Sequence, residues 1–379
     1  MSVANKKKEE CCGCNACAEI CPQHCIRMKE DSKGFFYPRV DVAVCIECGA
    51  CENVCPFDTT NLLLRAPLKA YAAWNKIEAE HTLSSSGGVA YVFSSYILGK
   101  NGVVYGCAAN GIEVRHIRVD SISELRKLQG SKYVQSDVRG MFRQVKKDLQ
   151  QQRPVLFIGT PCQVAGLKNY IRTVPPHLYL VDLICHGVPS LKMLSEHVSQ
   201  ISNGREVLNI SFRRGTAYLM EFSCEDFSYE CHYWKDAYMR MFVNGFISRP
   251  SCYNCPYANL KRTGDVSIGD FWGLGKMDER PKGANDAVSV LLPCNEKGLR
   301  LIKTVAGALV LYERQVQEAV SGNPQLQHPT LRTRRCRIFN IFWPLLPFNL
   351  AVWLCLSDQL IAAVKRKIFT KWLCNGFRK

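Results

Sequence analysis

The sequence predicts a multidomain protein of mixed α+β and α/β class, in which a small cysteine-rich module precedes a larger α/β body. Two short cysteine runs lie near the N-terminus. Further along, two apolar runs of strand length each end in a cysteine-containing loop and are followed by a segment of helical length. With 379 residues, the chain is long enough for two or three domains.

The two cysteine runs share the spacing C-x2-C-x2-C-x3-C-P. The first consists of Cys11, Cys14, Cys17 and Cys21, and the second of Cys45, Cys48, Cys51 and Cys55. This is the bacterial ferredoxin pattern, in which the fourth cysteine of each run binds the cluster of the other run. We therefore predict a ferredoxin-like module over residues 1–60 with two 4Fe-4S clusters, one held by Cys11, Cys14, Cys17 and Cys55, and one by Cys45, Cys48, Cys51 and Cys21.

The alternatives for these cysteines are a zinc module and a disulfide scaffold. Zinc sites usually take their ligands as separated pairs, and disulfides need an oxidising compartment. The first ten residues, MSVANKKKEE, are not followed by the apolar stretch of a signal peptide. We therefore expect a cytoplasmic protein whose thiols serve metal. Cys12 and Cys25 are surplus to the pattern and are predicted to be small buried residues, not ligands.

The charge of the chain is concentrated in its tail. The formal net charge is +16, and three clusters, at about two negative charges each, lower it to about +10. Residues 331–379 hold ten lysines and arginines against one acid, Asp358. Because these basic residues lie in an apolar tail and no recognised binding motif is present, we predict no nucleic-acid partner.

Residues 61–150 are predicted to form a second unit that starts with a helix. The sequence Ser84-Ser-Ser-Gly-Gly88 precedes an apolar run from Val89 to Leu98, and serine is a favoured N-cap. The first turn of such a helix presents backbone N–H groups that bind phosphate well. An ordinary capped helix explains the same residues equally well.

Residues 151–330 contain two successive strand–loop–helix units. Val155–Ile158 leads into the loop of Cys162, and Leu178–Ile184 leads into the loop of Cys185. Units of this kind form neighbouring parallel strands whose following loops meet at one sheet edge. A later C-x2-C pair adds two more thiols. A third metal site, for which zinc fits as well as iron and sulfur, is therefore predicted at Cys162, Cys185, Cys252 and Cys255.

The segment Gly264–Gly273 predicts a strand that carries two carboxylates. Asp265 and Asp270 lie close in sequence to Lys261 and Arg262. We expect these carboxylates to hold the two basic side chains in place.

The tail, residues 331–379, is apolar with strongly basic flanks. Two prolines, Pro344 and Pro347, interrupt it, which argues against a membrane-spanning helix. Apolar residues at helical spacing favour an amphipathic helix on an anionic membrane surface: Ile361, Val364, Ile368, Phe369, Trp372 and Leu373. A C-terminal helix docked on its own protein or on a subunit is the alternative. Deletion after Leu331 is expected to release the protein from anionic vesicles and to leave its cluster content unchanged.

The ordered set of motifs resembles the beta-subunit family of coenzyme F-420 hydrogenases and dehydrogenases, in particular its bacterial branch with a fused dicluster domain. After the cysteine runs come SSSGG, SKYVQS, GTPCQ, CHGVPS, SCYNC and GDFWG. Members of the family are iron–sulfur flavoproteins that bind FAD. The resemblance implies a third 4Fe-4S cluster on the four cysteines of the body. It also implies an FAD site at Ser85, Ser86, Gly87, Gly88, Lys132, Tyr133, Gln135 and Ser136.

The resemblance implies an oxidoreductase that passes electrons between 4Fe-4S clusters and FAD. We expect FAD to exchange a hydride with a deazaflavin or another organic acceptor. A flavin is needed for this step because clusters move single electrons and a hydride carries two. A one-electron carrier such as ferredoxin, a partner subunit and an anionic membrane surface are the predicted partners. The alternative is an electron-transfer subunit that serves a separate enzyme and has no organic substrate of its own.

Overall fold

The computed structural model describes residues 3–57 and 64–357. The strands of this part of the chain are β1 (Ile26–Glu30), β2 (Phe36–Val40), β3 (Ala70–Asn75), β4 (Val103–Asn110), β5 (Glu113–Val119), β6 (Val155–Gly159), β7 (Leu178–Leu183), β8 (Asn209–Arg214), β9 (Ala217–Ser223), β10 (Ser228–His232), β11 (Val266–Asp270), β12 (Ser289–Pro293) and β13 (Leu309–Arg314). The α-helices are α1 (Ala16–Ile20), α2 (Ala50–Asn53), α3 (Glu78–Thr82), α4 (Val89–Leu98), α5 (Met141–Gln150), α6 (Pro161–Ile171), α7 (Leu191–Ser202), α8 (Ala237–Val243), α9 (Glu296–Val305), α10 (Val316–Gly322) and α11 (Arg334–Phe342). The predicted fold class, a small N-terminal module followed by an α/β body, is confirmed.

Residues 3–57 form the N-terminal module, in which a hairpin lies between the two cysteine runs. Strands β1 and β2 pair antiparallel, with Ile26 opposite Val40. Each cysteine run turns through a left-handed residue just before its short helix, Asn15 with φ 67° before α1 and Gly49 with φ 70° before α2. Glycine and asparagine tolerate this conformation best. The two runs therefore follow the same backbone path, as expected from their common spacing.

The body is built on an eight-stranded sheet with the order β13-β3-β12-β11-β7-β6-β4-β5. Strands β4, β6, β7 and β11 are parallel to one another. The predicted parallel pairing of β6 with β7 is confirmed, with Val155 opposite Leu178. The loops that follow these two strands therefore open at the same edge of the sheet.

Helices cover both faces of this sheet. On one face, α4 and α9 contribute Phe93 and Ile302 to a buried apolar cluster. On the other face, α5 and α6 contribute Phe142 and Leu167 to a second cluster, which also includes Cys12 and Cys14 of the N-terminal module. The module therefore docks on the α5–α6 face through its first cysteine run.

A three-stranded sheet, β10-β9-β8, packs with α7 and α8 in a further apolar cluster of the body. The described part of the tail belongs to this cluster, because Cys336, Phe339 and Phe348 have no exposed surface. The Trp343 indole donates a hydrogen bond to Glu196 at 2.6 Å. This half of the tail thus docks on its own protein, the alternative weighed for it.

The second half of the tail, including the predicted amphipathic helix at 361–373, lies outside the described residues. Among the helices of residues 3–57 and 64–357, none combines the length and the hydropathy that a membrane crossing requires. The domain boundaries proposed from the sequence remain predictions.

Two local predictions are wrong. Helix α4 begins where expected, but Gly88 in the left-handed conformation precedes it, and no serine side chain caps it. Arg262 is bound by Asp182 of β7 at 2.6 Å, not by Asp265 or Asp270. Asp270 pairs with Arg213 of β8, a partner far away in sequence.

Candidate functional site

The second cysteine run lines a cavity of the N-terminal module, and we call the four thiols of Cys21, Cys45, Cys48 and Cys51 around it the outer cysteine group. Cys45, Cys48 and Cys51 line this cavity together with Cys21 of the first run. Cys48 is exposed. Val42 and Ile46, on the same loop, are 79% and 59% exposed. The outer group therefore lies within reach of a partner protein.

The first cysteine run lines a second cavity, and the four thiols around it form the inner cysteine group. Cys11, Cys14 and Cys17 line it together with Cys55 of the second run. The fourth cysteines are thus exchanged between the runs in the grouping assigned from the sequence. Burial raises the pKa of Cys17, and the nearby thiols of Cys11, Cys55 and Cys51 raise it further. Because Cys51 belongs to the outer group, the two groups are neighbours.

The two surplus cysteines are buried, as predicted, and each lies against one group. Cys25 lines the outer cavity, with its sulfur 3.4 Å from that of Cys21. Cys12 lines the inner cavity. The hydrogen bond with Cys14 raises the pKa of Cys12. Cys12 also forms a hydrogen bond with the Cys162 thiol of the body, and this bond lowers the same pKa. Cys12 therefore lies between the inner group and the body.

The third cysteine group comes from three separate segments of the body. Cys162 lies in the first turn of α6, which begins with a capping box between Thr160 and Gln163. Cys185 follows β7, and a short 3-10 helix over Pro250–Asn254 presents the last pair. Burial raises the pKa of Cys185 to about 12, and Cys162 and Cys255 contribute by their proximity. The pKa of Cys252 is likewise raised by burial and then by the other three thiols. These four side chains are therefore clustered.

The body loops that carry the third group are held by one buried ion pair. Asp182 at the end of β7 and Arg262 are both almost entirely buried, with Oδ1 of Asp182 2.6 Å from Nη2 of Arg262. The other carboxylate oxygen accepts the backbone N–H groups of Thr263 and Gly264. Arg262 also donates to the Tyr257 carbonyl at 2.9 Å. The pair ties the strand before Cys185 to the segment after Cys255.

The surroundings of Arg249 indicate that the inner group suits a negatively charged cluster. Its side chain is completely buried. Its guanidinium donates to the Cys11 carbonyl at 2.7 Å and to the Phe36 carbonyl at 2.7 Å, and it lies 3.7 Å from the Cys11 sulfur. No carboxylate of the described residues forms an ion pair with it. A buried cation needs a compensating negative charge, and thiolates around an iron–sulfur cluster would supply it.

Among residues 3–57 and 64–357, no three His, Cys, Asp or Glu side chains are arranged closely enough to bind a single metal ion. The four thiols of each group instead line one shared open space. In a 4Fe-4S cluster each of the four thiolates binds a different iron, so its ligands surround a larger body than one ion. The donor set and the spaces therefore fit clusters at the inner and outer groups.

The N-terminal module is joined to α5 by a carboxylate. Glu19 of α1 accepts the backbone N–H of Gly140 at 2.9 Å and that of Arg143 at 2.9 Å. No side chain of its own segment caps α5, since Gly140 precedes it. Glu19 therefore caps a helix of the body from the module.

Replacing Glu19 by alanine is expected to lower the free energy of unfolding by about 0.5–2 kcal/mol, because two partly buried N–H groups at the start of α5 lose a charged acceptor. Urea unfolding measures this loss. Glu10→Ala, at an exposed position of the same module, is the control and should leave the unfolding curve in place. An unchanged curve for Glu19→Ala would contradict the capping role.

The segments predicted to bind FAD lie next to each other. The Ser85 hydroxyl accepts the backbone N–H of Ser131 at 2.9 Å, and the Ser86 hydroxyl accepts a hydrogen bond from Ser289. A Cβ on Gly87 would lie 2.1 Å from the Ala73 carbonyl oxygen. Close packing on β3 therefore requires this glycine, whatever else its turn binds.

The residues predicted for the second FAD segment have partners within the protein. Lys132 donates to the carbonyls of Leu128 and Gln129, and burial lowers its pKa. The Tyr133 ring stacks on Phe242 with centroids 4.5 Å apart. This half of the segment is therefore fixed by contacts within the body.

Gln135 and Ser136 connect this segment with the cysteine groups. Gln135 donates to the Cys12 carbonyl at 2.9 Å and accepts from Arg249 at 3.0 Å. Ser136 bonds His116 at 2.7 Å and Gln163 of α6 at 3.1 Å. The loop 131–136 thus runs from the predicted FAD turn to the inner group.

Several residues that shape the site were not found from the sequence. These residues contact partners far away in the sequence: Arg249 contacts Cys11, Gln135 contacts Cys12, and Asp182 contacts Arg262. The one signal in the sequence was the position of Arg249, three residues before Cys252. That spacing does not indicate a contact with Cys11.

Comparisons with known proteins agree with this architecture. Residues 10–59 match the family model of the 4Fe-4S dicluster domain. Residues 152–319 match the model for the C terminus of the coenzyme F420 hydrogenase/dehydrogenase beta subunit. The chain is therefore an iron–sulfur electron-transfer protein with a dicluster domain. The match over residues 152–319 to the coenzyme F420 hydrogenase/dehydrogenase beta-subunit family confirms the resemblance seen in the motifs.

Two individual proteins are similar over different extents. NADH-quinone oxidoreductase subunit I of Pelobacter propionicus is 34% identical over 68 residues, 16% of this chain and 37% of that protein. The chain thus covers little more than a third of this relative. A chain of the F420-reducing [NiFe] hydrogenase complex from Methanosarcina barkeri aligns with a TM-score of 0.46 and 16% identity, covering 81% of this chain and 94% of that chain.

Proposed function

We propose that the protein is an iron–sulfur flavoprotein oxidoreductase that passes electrons between a one-electron carrier and an organic hydride acceptor. In this proposal the inner and outer groups hold the two clusters of the dicluster domain. The third group, Cys162, Cys185, Cys252 and Cys255, holds another 4Fe-4S cluster. A deazaflavin or a similar organic molecule is the acceptor.

One observation carries the proposal: the three cysteine groups form a continuous series. Cys51 of the outer group raises the pKa of Cys17 of the inner group, which shows their proximity. Cys12, beside the inner group, bonds Cys162 of the third. The series runs from an exposed loop to the edge of the large sheet. That is the path an electron needs between a surface partner and a buried site.

FAD would supply the change from single electrons to a hydride. We assign it to the turn of Ser85, Ser86, Gly87 and Gly88 and to the loop of Lys132, Tyr133, Gln135 and Ser136. Two features support this assignment: the start of α4 offers N–H groups to a pyrophosphate, and the loop contacts the inner group through Gln135. The turn and the loop, which lie next to each other, would hold the flavin from two sides.

An electron-transfer subunit without an organic substrate is the second candidate. The exposed apolar side chains Val42, Val44 and Ile46 beside the outer group favour a protein partner. The Pelobacter relative is likewise named as a subunit. The purified protein distinguishes the two functions: given a reduced ferredoxin, only the first reduces a deazaflavin by itself. We propose a cytoplasmic location, with the amphipathic helix at 361–373 on an anionic membrane surface.

Iron, sulfide and flavin content of anaerobically purified protein tests the proposal. We expect about twelve irons and one FAD per chain, and about eight irons after the double substitution Cys162→Ser, Cys185→Ser. A matched double variant, Cys107→Ser with Cys294→Ser, removes two body thiols outside the three groups and should keep about twelve irons. Eight irons in the wild type, or one zinc lost with the first double variant, would contradict the third cluster.

A further inference from the structure

We propose that Lys6 and Arg249 make the two clusters of the N-terminal module unequal, so that electrons pass inward from the outer cysteine group to the inner one. This inference rests on the ligand sets of the proposed function. It adds what the comparisons leave open, the direction of electron flow. The residues that carry it lie on opposite sides of the inner group.

Two cations bond the thiols of the inner group. The Lys6 ammonium donates to the Cys55 sulfur at 3.0 Å, and Lys6 lines the inner cavity. The Arg249 guanidinium lies 3.7 Å from the Cys11 sulfur on another side. Both sulfurs belong to the same proposed cluster. Charged donors form stronger hydrogen bonds than neutral ones, and hydrogen bonds to the sulfurs and nearby charge set cluster potentials.

Arg249 is fixed and keeps its charge. Four bonds hold the guanidinium, to the Cys11 carbonyl, the Gln135 side chain, the Phe36 carbonyl and the Cys11 sulfur. The ring of Tyr37 lies 4.4 Å from its centre. An arginine guanidinium does not lose its proton in proteins. The positive charge is therefore permanent and shielded from water, where charges interact most strongly.

The outer group has the opposite electrostatic environment. Within residues 3–57 and 64–357, no lysine or arginine side chain is hydrogen bonded to Cys21, Cys45, Cys48 or Cys51. The sulfur of Cys21 instead contacts the Cys25 thiol. Glu47 lines the outer cavity, where the inner cavity has Lys6. A carboxylate opposes the arrival of an electron that a cation favours.

Solvent exposure acts in the other direction, because water also stabilises added negative charge at the outer group. Its effect is spread over a wide surface, and the inner group is itself only partly buried: Cys11, Cys17 and Cys55 keep some exposed surface. Arg249, in contrast, is in direct contact and unscreened. We therefore assign the higher reduction potential to the inner group.

The electron balance follows from this order. The outer, inner and third cysteine groups would each hold a cluster that accepts and releases one electron. A one-electron protein donor would be oxidised at the exposed loop, and each electron it loses would pass from the outer cluster to the inner one and then to the third. Two such transfers and one proton from solvent make up the hydride. The inner cations favour the middle step and oppose its reversal.

A redox titration of the full-length protein, followed by electron paramagnetic resonance, tests the inference. We expect two separate midpoints for the module. Lys6→Gln and Arg249→Gln should each lower only the higher one, by about tenfold in the reduction equilibrium, which is 59 mV for one electron. Lys6→Arg keeps the charge and should restore the midpoint. Lys8→Gln removes a neighbouring charge that binds Asp31 and should change neither midpoint.

The outcomes separate this inference from the proposed function. Fewer than about eight irons per chain would overturn the ligand sets themselves. Eight or more irons with one shared midpoint, or a shift of the lower midpoint in the Lys6 variant, would overturn only the asymmetry. Because Lys6 is only partly buried, we expect Lys6→Gln to fold. This variant therefore tests the asymmetry between the two clusters even if Arg249→Gln does not fold.

Discussion

Replacing Asp182 by asparagine is expected to lower the free energy of unfolding by about 3–5 kcal/mol and to remove iron from the third cysteine group. The substitution leaves the Arg262 guanidinium buried without its counter-charge, and breaking a buried ion pair from one side has this cost. Both side chains are almost fully buried, at 0% for Asp182 and 2% for Arg262. Solvent therefore cannot compensate for the lost charge.

The loss of iron follows from the position of the pair. Asp182 accepts five hydrogen bonds or ion-pair contacts from the segment after Cys255, namely those of Arg262 Nε and Nη2, the N–H groups of Thr263 and Gly264, and the Ser267 hydroxyl. Cys185 follows Asp182 by three residues on the segment that leaves β7. When the pair is broken, the two loops no longer have a fixed separation. Thiolates from both are needed at one cluster.

Urea unfolding and iron analysis measure the two effects. Glu124→Gln removes an exposed carboxylate that pairs with Lys127, and such surface pairs contribute little. This control should match the wild type in both measurements. A stable Asp182→Asn protein that retains about twelve irons would show that the pair neither stabilises the body nor positions the third group.

The elements with a local signal could be predicted from the sequence. The parallel pair β6 and β7 and helix α4 were expected from apolar runs and from glycines and serines close to them in the chain. The grouping of Cys21 with the second run and Cys55 with the first came from spacing alone. Such patterns work because a few neighbouring residues determine each turn or strand.

The pairings between distant segments could not be predicted. Arg249 and Cys11 are 238 residues apart, and Asp182 and Arg262 are 80 apart. Sequence proximity suggested Asp265 and Asp270 for Arg262, but β11 pairs with β7 and thereby brings Asp182 to it. The packing of the sheet determines these contacts. A charged residue near a cysteine in sequence therefore says little about which thiol it meets.

The packing of the tail on the body is another contact between distant segments that the sequence did not indicate, and deletion of the tail has the second large expected effect. Deletion of all residues from Arg334 onward is expected to prevent stable folding. It removes Phe339, Trp343 and Phe348, each at most 5% exposed, from the apolar cluster of the body. Loss of one buried Phe or Trp side chain costs about 3–5 kcal/mol. Three such losses equal or exceed the whole stability of many domains, about 5–15 kcal/mol.

Thermal unfolding followed by circular dichroism measures this effect, with deletion of residues 358–379 as the control. The control leaves the buried aromatic residues in place and should unfold close to the full-length temperature. A cut after Leu331 removes the same buried residues, so the shorter deletion is the proper test of membrane binding. If the protein cut before Arg334 unfolded at the full-length temperature, the tail would be an appendage. If the shorter deletion still sedimented with anionic vesicles, the amphipathic helix at 361–373 would not be the membrane contact.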